Sequence, residues 1–425
     1  MNEKQQLAYD LALGGKSIFV SGAAGCGKSY VIDQIVQGLA KKGTRYQICA
    51  PTGVAAVNVR GKTLHRYFGL KPWIKTIEQY MSATRRKDHE VVRLQVLIID
   101  EISMVSAEMF ELFDAICRLE RGRRAMMKKD EPFGGLQLLI FGDFYQLPPV
   151  ITEPTQKVYA FESAAWKALD LTTLTLTIVI RQLDEHFSAQ LCKLRSGTID
   201  DQVTQLLEEI SMDSKDRPDC IVDEKTLRLE SLNVDKDSVN NLSLQREPGD
   251  EYVYQCQYTG DESLMRGCLA RPELKLKAGC PIIHLANING VYNGSTGIVV
   301  DPRPDKKVGR TGPLIHFTNQ LRPMDVAPHT WEVNDDRGNV LATMTQIPVI
   351  LAYSLSISKS QSLSIDKLQV NLSKVFCPGM SYTALSRART KQGLTALGIR
   401  GKSKAQLQAI FAPDDRVKNF YQTTE

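Results

Sequence analysis

The sequence has no apolar run long enough to cross a lipid bilayer. Its longest apolar stretches, such as the one from Pro348 to Leu355, are far shorter than the roughly 18 residues that a spanning helix needs. The N-terminus has neither the basic-then-apolar order of a secretory signal nor the Arg-rich, acid-poor pattern of a transit peptide. We therefore expect an intracellular protein, nuclear or cytoplasmic, that is not secreted and does not contact a membrane.

Closely spaced cysteines are also absent. The nine cysteines are scattered from Cys26 to Cys377 without a C-x-x-C pair or neighbouring histidines, which argues against a disulfide framework and a zinc site. The sequence has no internal repeat, and its 43% hydrophobic and 24% charged residues are typical of globular proteins. Its 425 residues predict two to four domains, on a prior of roughly 150 residues each. The net charge of +5 permits polyanion binding without requiring it.

Short apolar runs alternate with segments of helical spacing along most of the chain. The helical segment from Tyr30 to Ala40 follows the first run, and the segment from Met380 to Arg389 follows the last. Such alternation predicts an α/β fold with parallel sheets. The stretch from Cys280 to Val300 instead predicts strand, turn and strand, and so a small inserted β module. The predicted parallel strands are Ser17 to Ser21, Tyr46 to Ala50, Val96 to Ile99, Leu136 to Phe141 and Lys367 to Leu372.

The strongest motif is a glycine-rich sequence of the form G-x-x-x-x-G-K-S between a predicted strand and a predicted helix. Backbone N–H groups of such a loop surround phosphates at a helix N-terminus. Lys28 is expected to reach the β- and γ-phosphates of ATP, and the Ser29 hydroxyl to bind Mg²⁺. A glycine-rich turn with an incidental lysine is the plainer interpretation, and the strand-loop-helix context argues against it. The predicted nucleotide-binding residues of this loop are Gly22, Ala23, Ala24, Gly25, Cys26, Gly27, Lys28 and Ser29.

Two further predicted strands end in polar residues that suit phosphate chemistry. The strand from Val96 to Ile99 leads directly into Asp100 and Glu101, at the strand end where parallel sheets bind ligands. Asp100 is expected to hold Mg²⁺, and Glu101 to orient or deprotonate the attacking water. The next strand leads into Gly142 to Pro149, in which Gln146 is expected to sense the γ-phosphate by hydrogen bonding.

In this order the motifs resemble those of superfamily 1B DNA helicases of the petite integration frequency (PIF) type, and the resemblance covers nearly the whole chain. The segment from Phe110 to Gln137 is similar to the signature that separates this group from other superfamily 1 motors. Besides the glycine-rich loop, the motifs that carry the resemblance are Gln5, Ala50 to Ala56, Gly61 to His65, Asp100 to Met104, Pro132 to Gln137, Gly142 to Val150, Arg181-Gln182, Leu274 to Gly279, Asn293 to Gly297, Lys359 to Gln361 and Tyr382 to Arg389.

The resemblance implies a motor with two RecA-like P-loop NTPase lobes, an inserted SH3-like β module and a short wedge insertion. It implies 5′-to-3′ movement on single-stranded DNA and unwinding of forked duplex DNA with ATP and Mg²⁺. It further implies a monomer that acts with proteins of DNA replication, recombination or repair. The implied boundaries are 1–175 for the first lobe with the wedge near 66–92, 176–245 and 346–415 for the second lobe, 246–345 for the inserted segment and 416–425 for a tail.

The resemblance also assigns roles to residues that spacing alone does not single out. Arg181 and Arg387 are expected to close over the γ-phosphate as catalytic arginines, and Gln5 to read the edge of adenine. A set of polar residues suits phosphate contacts that grip DNA without reading its sequence. Taken singly, Thr52 also fits a helix cap and His65 a partly buried polar group. The residues implied to contact DNA are Pro51, Thr52, Gly53, His65, Lys359, Ser360 and Gln361.

Several features leave alternatives open. Ser358 and Ser362 stand where the family commonly has His and Gly, which puts the grip of the second lobe on DNA in question. The Arg-rich stretch from Arg118 to Lys129 fits a DNA-facing surface and a solvated helix face equally well. An RNA helicase or a non-unwinding translocase remains an alternative to a DNA helicase, and a P-loop switch that binds protein partners is a less favoured one. Three aromatic residues fit either base stacking or the core, and they are Phe144, Tyr353 and Tyr382.

Overall fold

The structure is a computed structural model. It describes residues 1–71, 73–83, 90–122, 130–150, 157–182, 184–212, 226–265, 268, 270–286, 288, 290–291, 295–318, 320–334, 340–361 and 363–424. The chain forms two compact units, of which unit 1 comprises residues 1–213 and 357–425 and unit 2 comprises residues 214–356. All of the predicted site residues belong to unit 1.

The first segment of unit 1 alternates strands and helices, as the sequence pattern predicts. Its strands are β1 (Ile18–Gly22), β2 (Tyr46–Ala50), β3 (Lys62–Thr63), β4 (Val96–Ile99), β5 (Gln137–Gly142), β6 (Thr172–Leu176) and β7 (Ser211–Met212). Its helices are α1 (Glu3–Leu13), α2 (Lys28–Lys41), α3 (Gly53–Asn58), α4 (Leu64–Tyr67), α5 (Ile77–Ala83), α6 (Ala107–Gly122), α7 (Ala164–Ala168), α8 (Glu185–Arg195) and α9 (Asp201–Ile210).

Unit 2 consists mostly of strands, and the chain then returns to unit 1. The strands of unit 2 are β8 (Leu227–Glu230), β9 (Tyr252–Gln255), β10 (Gln257–Gly260), β11 (Glu273–Leu276), β12 (Pro281–His284), β13 (Thr296–Asp301), β14 (Leu314–Phe317), β15 (Met324–Asp325), β16 (His329–Asn334), β17 (Val340–Gln346), β18 (Val349–Leu351) and β19 (Ser354–Ser356), and its described α-helix is α10 (Asn233–Arg246). The last segment of unit 1 contains β20 (Leu368–Asn371), α11 (Met380–Leu385), β21 (Leu394–Leu397), α12 (Lys404–Ile410) and α13 (Asp415–Thr424).

The main sheet of unit 1 has six strands in the order β3-β2-β4-β5-β1-β6. Every neighbouring pair in it is parallel. The adjacent strands β4, β5 and β1 therefore end at the same edge, where parallel sheets bind their ligands. This topology brings the residues after Gly22, Ile99 and Gly142 together, although they are far apart in the sequence.

Both faces of this sheet are buried, as expected for a parallel sheet with helices on each side. On one face Ile18 and Val20 of β1 pack with α1 and with Ile35 of α2. On the other face Phe19 of β1 packs in an aromatic-rich cluster with Phe113 of α6. Successive residues of one strand thus reach opposite cores, which is the period-2 alternation of a β-strand. Unit 1 also contains the parallel pairs β20/β21 and β21/β7.

One predicted helix is shorter than expected. The helical spacing from Met380 to Arg389 predicted a continuous helix, but α11 ends at Leu385. The physical reason is a pair of backbone hydrogen bonds between this stretch and Ile365. Arg387 accepts from the Ile365 N–H and Arg389 donates to the Ile365 carbonyl, at 2.9 and 3.1 Å, so this stretch is held as a β-bridge instead.

Antiparallel pairing dominates unit 2. Five of its strands form a sheet in the order β15-β14-β13-β12-β18, and three others form a sheet in the order β10-β17-β16. The antiparallel pairing of β12 with β13 confirms the two strands predicted between Cys280 and Val300, and the predicted turn at 293–294 lies outside the described residues. The core of this sheet includes Cys280, Ile282 and Phe317. In the described part of the chain, none of the helices has the length and apolar character needed to span a membrane.

Candidate active site

The glycine-rich loop connects the end of β1 to the first turn of α2. Gly25 and Gly27 have φ angles of 83° and 86°, a left-handed conformation that glycine adopts without strain. Gly27 is the N-cap of α2, and no side chain caps this helix end. Backbone N–H groups at a helix N-terminus favour an anion, so the local fold suits phosphate. The loop is also narrow, because a Cβ on Gly25 would lie 2.4 Å from the Cβ of Arg181.

Lys28 is held by the loop that it follows. Its side chain is buried, and Nζ donates to the carbonyl oxygens of Gly22 and Ala23 at 2.6 and 3.2 Å. A second contact holds the loop, because the Ala24 N–H donates to the Tyr382 hydroxyl at 2.9 Å. The Lys28 ammonium and the Ala24 N–H thus have hydrogen-bond partners within the protein, as buried polar groups generally do.

A cavity of about 280 Å³ lies against this loop. It brings together the predicted catalytic residues from five separate parts of unit 1. The lining residues that the sequence predicted are Ala24, Gly25, Gly27, Lys28, Ser29, Asp100, Glu101, Gln146, Arg181 and Arg387. Ile180 and Ser364 also line the cavity and were not predicted. Gly22, Ala23 and Cys26 belong to the loop without lining the cavity.

The acidic pair lies at the end of β4, within the buried part of the site. The Asp100 carboxylate accepts the Glu101 backbone N–H at 2.9 Å. Burial and the neighbouring Glu101 raise the pKa of Asp100 well above its usual range. Glu101 has a φ of 53°, a left-handed backbone that non-glycine residues adopt only at a cost. Such strain is found where the surrounding structure fixes a functional side chain.

Two arginines reach the cavity from outside the six-stranded sheet. Arg387 is buried, and its Nη2 donates to Oε1 of Gln146 at 3.3 Å while its Nε donates to the Thr383 carbonyl at 2.8 Å. Arg181 donates from Nη1 to the Ser386 carbonyl at 2.9 Å. Burial lowers the pKa of Arg181, and the charge of Arg387 lowers it further. Two buried cations at one cavity favour a polyanionic occupant, which would offset their repulsion.

Gln5 lies behind the loop rather than in the lining of the cavity. It is buried, its Nε2 donates to the Cys26 carbonyl at 3.3 Å, and its Oε1 accepts the Asn2 N–H at 3.0 Å. The neighbouring Gln6 is exposed and donates to Asp10. Of the two adjacent glutamines, Gln5 is therefore the one in contact with the nucleotide-binding loop.

The residues predicted to contact DNA differ in exposure. Thr52 caps α3, because its hydroxyl accepts the Ala55 N–H at 3.2 Å, whereas His65 on α4 is exposed. Pro51 and Gly53 flank Thr52 and are half-buried. In the second segment Lys359 is half-buried, but Ser360 and Gln361 are buried. Ser358 is exposed, and Ser362 lies outside the described residues.

The Arg-rich stretch after Phe110 has a structural explanation where it is described. Arg121 is buried and donates to the carbonyl oxygens of Gly134, Val91 and Leu94 at 2.7 to 3.0 Å. Arg118 pairs with Asp114 on the same helix at 2.8 Å. Arg121 therefore joins α6 to two loops instead of facing DNA or water. The rest of the stretch, 123–129, and the part of the predicted wedge at 84–89 lie outside the described residues.

The three aromatic residues considered for base stacking are buried and belong to the core. Phe144 packs edge-on against Tyr159, Phe161 and Phe420, with ring centroids 4.8 to 6.0 Å apart. Tyr353 donates to Glu247 in unit 2, and Tyr382 contacts the glycine-rich loop in unit 1. Each of the three side chains is at most 3% exposed, so none of the rings is available for stacking on a base.

Sequence reasoning missed two residues next to Gln146. Asp143 is fully buried, and Arg195, the last residue of α8, pairs with it at 2.9 Å. Asp143 belongs to a motif that had been recognised, so its position next to Gln146 was a visible signal. Arg195 had no such signal, because a basic residue at the end of a helix is common and its partner is 52 positions away.

A parallel sheet whose first strand enters a helix through a glycine-rich loop is the fold of P-loop nucleotide-binding proteins. Comparison with known proteins narrows this class. The chain belongs to the PIF1-like helicase family. The model of that family matches residues 1–205, and one relative is similar over nearly the full length of both proteins. This relative is the ATP-dependent DNA helicase Pif1 of Bdellovibrio bacteriovorus, which is 30% identical over 100% of this chain and 92% of its own length.

Eukaryotic relatives are longer. The ATP-dependent DNA helicase PIF1 of Xenopus laevis is 33% identical over 95% of this chain, but the match covers 62% of that relative. The chain is therefore similar to somewhat less than two thirds of this relative.

Solved structures confirm the predicted α/β fold with two RecA-like lobes. The crystal structure of the Pif1 helicase from Candida albicans has a TM-score of 0.87 and 31% identity, and the match covers 100% of this chain and 99% of that one. A Bacteroides Pif1 helicase in complex with ADP-AlF3 and single-stranded DNA has a TM-score of 0.78 and 27% identity, with 100% and 96% coverage.

Proposed function

We propose that the chain is an ATP-dependent DNA helicase that moves 5′ to 3′ on single-stranded DNA and unwinds duplex DNA ahead of it. The observation that carries this proposal is the cavity in which Lys28, Glu101 and two arginines meet. A nucleotide switch needs the lysine, but it has no evident need for two arginines from a distant part of the chain. The arginines therefore favour a motor whose hydrolysis depends on closure of the site.

The lining residues support a division of labour in phosphoryl transfer. Lys28 would move its ammonium from the carbonyls of Gly22 and Ala23 to the β- and γ-phosphates. Glu101 would orient and deprotonate the attacking water. Arg181 and Arg387 would stabilise the charge that develops on the γ-phosphate, which is the largest contribution that arginines make in such sites.

The same cavity suits a magnesium ion. The Ser29 hydroxyl and the Asp100 carboxylate both line it, and Mg²⁺ is usually held by one or two protein oxygens together with phosphate oxygens and water. When bound, Mg²⁺ would neutralise negative charge on the phosphates. Asp100 needs to be ionised for this role. Burial and Glu101 raise the pKa of Asp100, and the Lys28 ammonium opposes this rise, as the charge of a bound Mg²⁺ would.

Gln146 is the residue that would couple hydrolysis to movement. It already contacts Arg387, and both line the cavity, so the loss of the γ-phosphate changes the charge that both of them face. We propose lobes at 1–175 and at 176–245 with 346–415, an inserted segment at 246–345 and a tail at 416–425. Closure and opening of the lobes would then advance the protein along the strand.

DNA is proposed as the track on two grounds. The relatives are named DNA helicases, and the Bacteroides structure contains single-stranded DNA. Five of the residues predicted to contact DNA are at least partly accessible for phosphate contacts, namely Pro51, Thr52, Gly53, His65 and Lys359. Ser360 and Gln361 are buried and would act by supporting Lys359. The chain would work as a monomer in the nucleus or cytoplasm on forked substrates, with replication, recombination or repair proteins.

The test is strand separation of one duplex that carries a single-stranded tail at either the 5′ or the 3′ end, with ATP and Mg²⁺. We expect unwinding only from the 5′ tail, and none by Lys28→Ala, which lacks the phosphate-binding ammonium. Unwinding from the 3′ tail alone would contradict the proposed direction.

Hydrolysis assays on the same preparations distinguish the alternatives. DNA-stimulated hydrolysis without strand separation would indicate a translocase, and stronger stimulation by a matched RNA would indicate an RNA helicase. Nucleotide binding with neither hydrolysis nor stimulation would favour a switch.

A further inference from the structure

Asp143 is a fully buried carboxylate between β5 and Gln146. Arg195 binds it with both ends of its guanidinium, because Nε and Nη2 donate to Oδ1 at 3.1 and 2.9 Å and Nε also donates to Oδ2 at 3.0 Å. Such bidentate pairs fix the orientation of both groups. A carboxylate buried without this partner would be strongly unfavourable, so Arg195 stabilises Asp143 in this position.

Arg195 is itself held in place by two aromatic rings. Its guanidinium carbon lies 4.4 Å from the ring centroid of Tyr145 and 5.4 Å from that of Tyr421, and these two rings stack at 4.9 Å. Tyr421 is fixed in turn, since its hydroxyl accepts the Phe144 N–H at 3.1 Å and bonds to Ser21 at 2.7 Å. Helices α8 and α13 thus define where the guanidinium lies.

Asp143 in turn fixes the position of Gln146 by two hydrogen bonds. Its carboxylate accepts the Gln146 Nε2 at 3.4 Å, and its carbonyl accepts the Gln146 N–H at 2.9 Å. The opposite end of the same amide, Oε1, accepts from Arg387. An amide held at its nitrogen by a carboxylate can present only its oxygen to an arginine. The order Arg195, Asp143, Gln146, Arg387 is therefore a continuous chain of polar contacts.

We propose that Arg195 is a positioning residue for ATP hydrolysis, which acts through Asp143 to orient Gln146 toward Arg387. This inference rests on the proposed function. Arg195 does not line the cavity, so its effect is on the rate of the chemical step rather than on nucleotide affinity. The arrangement also connects α8 to the γ-phosphate sensor, so a shift of that helix alters the orientation of the sensor.

The test measures kcat and KM for ATP in the full chain with single-stranded DNA, using Arg195→Lys and Arg195→Gln. Lysine keeps the charge but cannot bind the carboxylate bidentately. We expect Arg195→Lys to lower kcat roughly 10- to 100-fold, the size of effect caused by a small misplacement of catalytic groups. The KM for ATP should stay within about twofold, because the phosphate-binding loop is unchanged.

A double-mutant cycle shows whether the effect passes through Gln146. In the Gln146→Ala background, Arg195→Lys should lower kcat no further, because the group that it orients is gone. Arg416→Gln is the matched control, since Arg416 also pairs with a carboxylate, Asp414, and lies over a ring, that of Tyr159, away from the cavity. It should hydrolyse ATP at the normal rate.

Other outcomes overturn the proposal. A normal kcat in folded Arg195→Lys, or an additive loss in the double variant, would show that Arg195 does not act through Gln146. If neither Arg195 variant gives a cooperative thermal transition, the residue is needed for folding and the positioning role is wrong. No hydrolysis by the unaltered chain would instead contradict the proposed function itself, and with it the role of Arg195.

Discussion

At the scale of single residues, the proposed chemistry depends on a few buried side chains that already have hydrogen-bond partners within the protein. Arg387 is the clearest case, because it is buried, charged and bonded to Gln146 and to a backbone carbonyl. None of these contacts neutralises its charge. The guanidinium is thus prepared for an anion, and its contribution should appear in the transition state rather than in binding.

Arg387→Ala should leave binding of a non-hydrolysable ATP analogue within about threefold and lower kcat by roughly a thousandfold, as expected for loss of an arginine that stabilises the transferring phosphate. Titration of the analogue by fluorescence and steady-state hydrolysis measure the two effects separately. Arg416→Ala, outside the cavity, is the control. A normal kcat would exclude Arg387 from the chemistry.

Gln5→Ala should reduce the preference for ATP over other nucleoside triphosphates. The Gln5 amide contacts the carbonyl of Cys26 inside the loop and is the polar group proposed to read adenine. The ratio of kcat/KM for ATP to that for UTP measures this preference. Gln6→Ala is the matched control, because Gln6 is exposed and its side chain donates to Asp10 of the same helix. An unchanged ratio in Gln5→Ala would refute the assignment.

The sequence made the loop, the acidic pair and Gln146 recognisable, because each follows a short apolar run whose length and composition indicate a buried strand. It could not indicate Arg195 or Tyr421, since their contacts depend on how α8 and α13 pack. The partners of Tyr421 are 277 and 400 positions away in the chain. The motifs therefore identified groups that line the cavity, and missed the groups that pack behind Gln146.

At the scale of elements, α6 shows why a run of basic residues is a poor guide to DNA contacts. Its hydrophobic face packs in the aromatic cluster, and one arginine of the run is turned inward to three backbone carbonyls. Those carbonyls end a 3₁₀ helix before β4 and lie in the turn before β5. The Val91 carbonyl also accepts the Leu94 N–H within its own segment, so the arginine adds donors from α6 to turns that are already partly hydrogen-bonded.

Arg121→Gln should lower the free energy of unfolding by roughly 2–4 kcal/mol, because a buried charge-assisted network of hydrogen bonds is broken. Arg118→Gln should cost less than about 1 kcal/mol, as is typical of a partly exposed ion pair between neighbouring helical turns. Urea unfolding followed by circular dichroism compares the two. Equal stabilities would contradict the structural role, and loss of DNA binding in folded Arg121→Gln would restore the DNA-facing interpretation.

At the scale of the whole molecule, the two units differ in how they use their strands. Unit 1 contains the parallel sheet and every residue that lines the cavity, whereas unit 2 is built mainly from antiparallel strands around its own core. Removal of the nucleotide or of Mg²⁺ should therefore change amide exchange in unit 1 before it changes exchange in unit 2. The alternation of apolar runs with helical segments predicted the parallel sheet of unit 1, and the pattern from Cys280 to Val300 predicted the antiparallel pair β12 and β13 of unit 2.

Hydrogen exchange should report this difference. A non-hydrolysable ATP analogue with Mg²⁺ is expected to slow amide exchange around the glycine-rich loop, the acidic pair and Gln146, while the peptides of 252–346 change little in the absence of DNA. Chelation of Mg²⁺ by EDTA should reverse the protection. Lys28→Ala is the control that should show none of it. Protection confined to unit 2 would place the nucleotide elsewhere.

The hydrogen bonds between the glycine-rich loop and Lys28 have a consequence for the proposed kinetics of nucleotide release. Carbonyl oxygens of Gly22 and Ala23 hold the ammonium of Lys28 and would compete with a phosphate for it. In the proposed motor, these oxygens would take the place of a departing phosphate without exposing the ammonium to water. Such competition would weaken the binding of ADP as well as ATP, and so shorten the residence time of the product. Fast loss of ADP would suit a motor that releases product at every step.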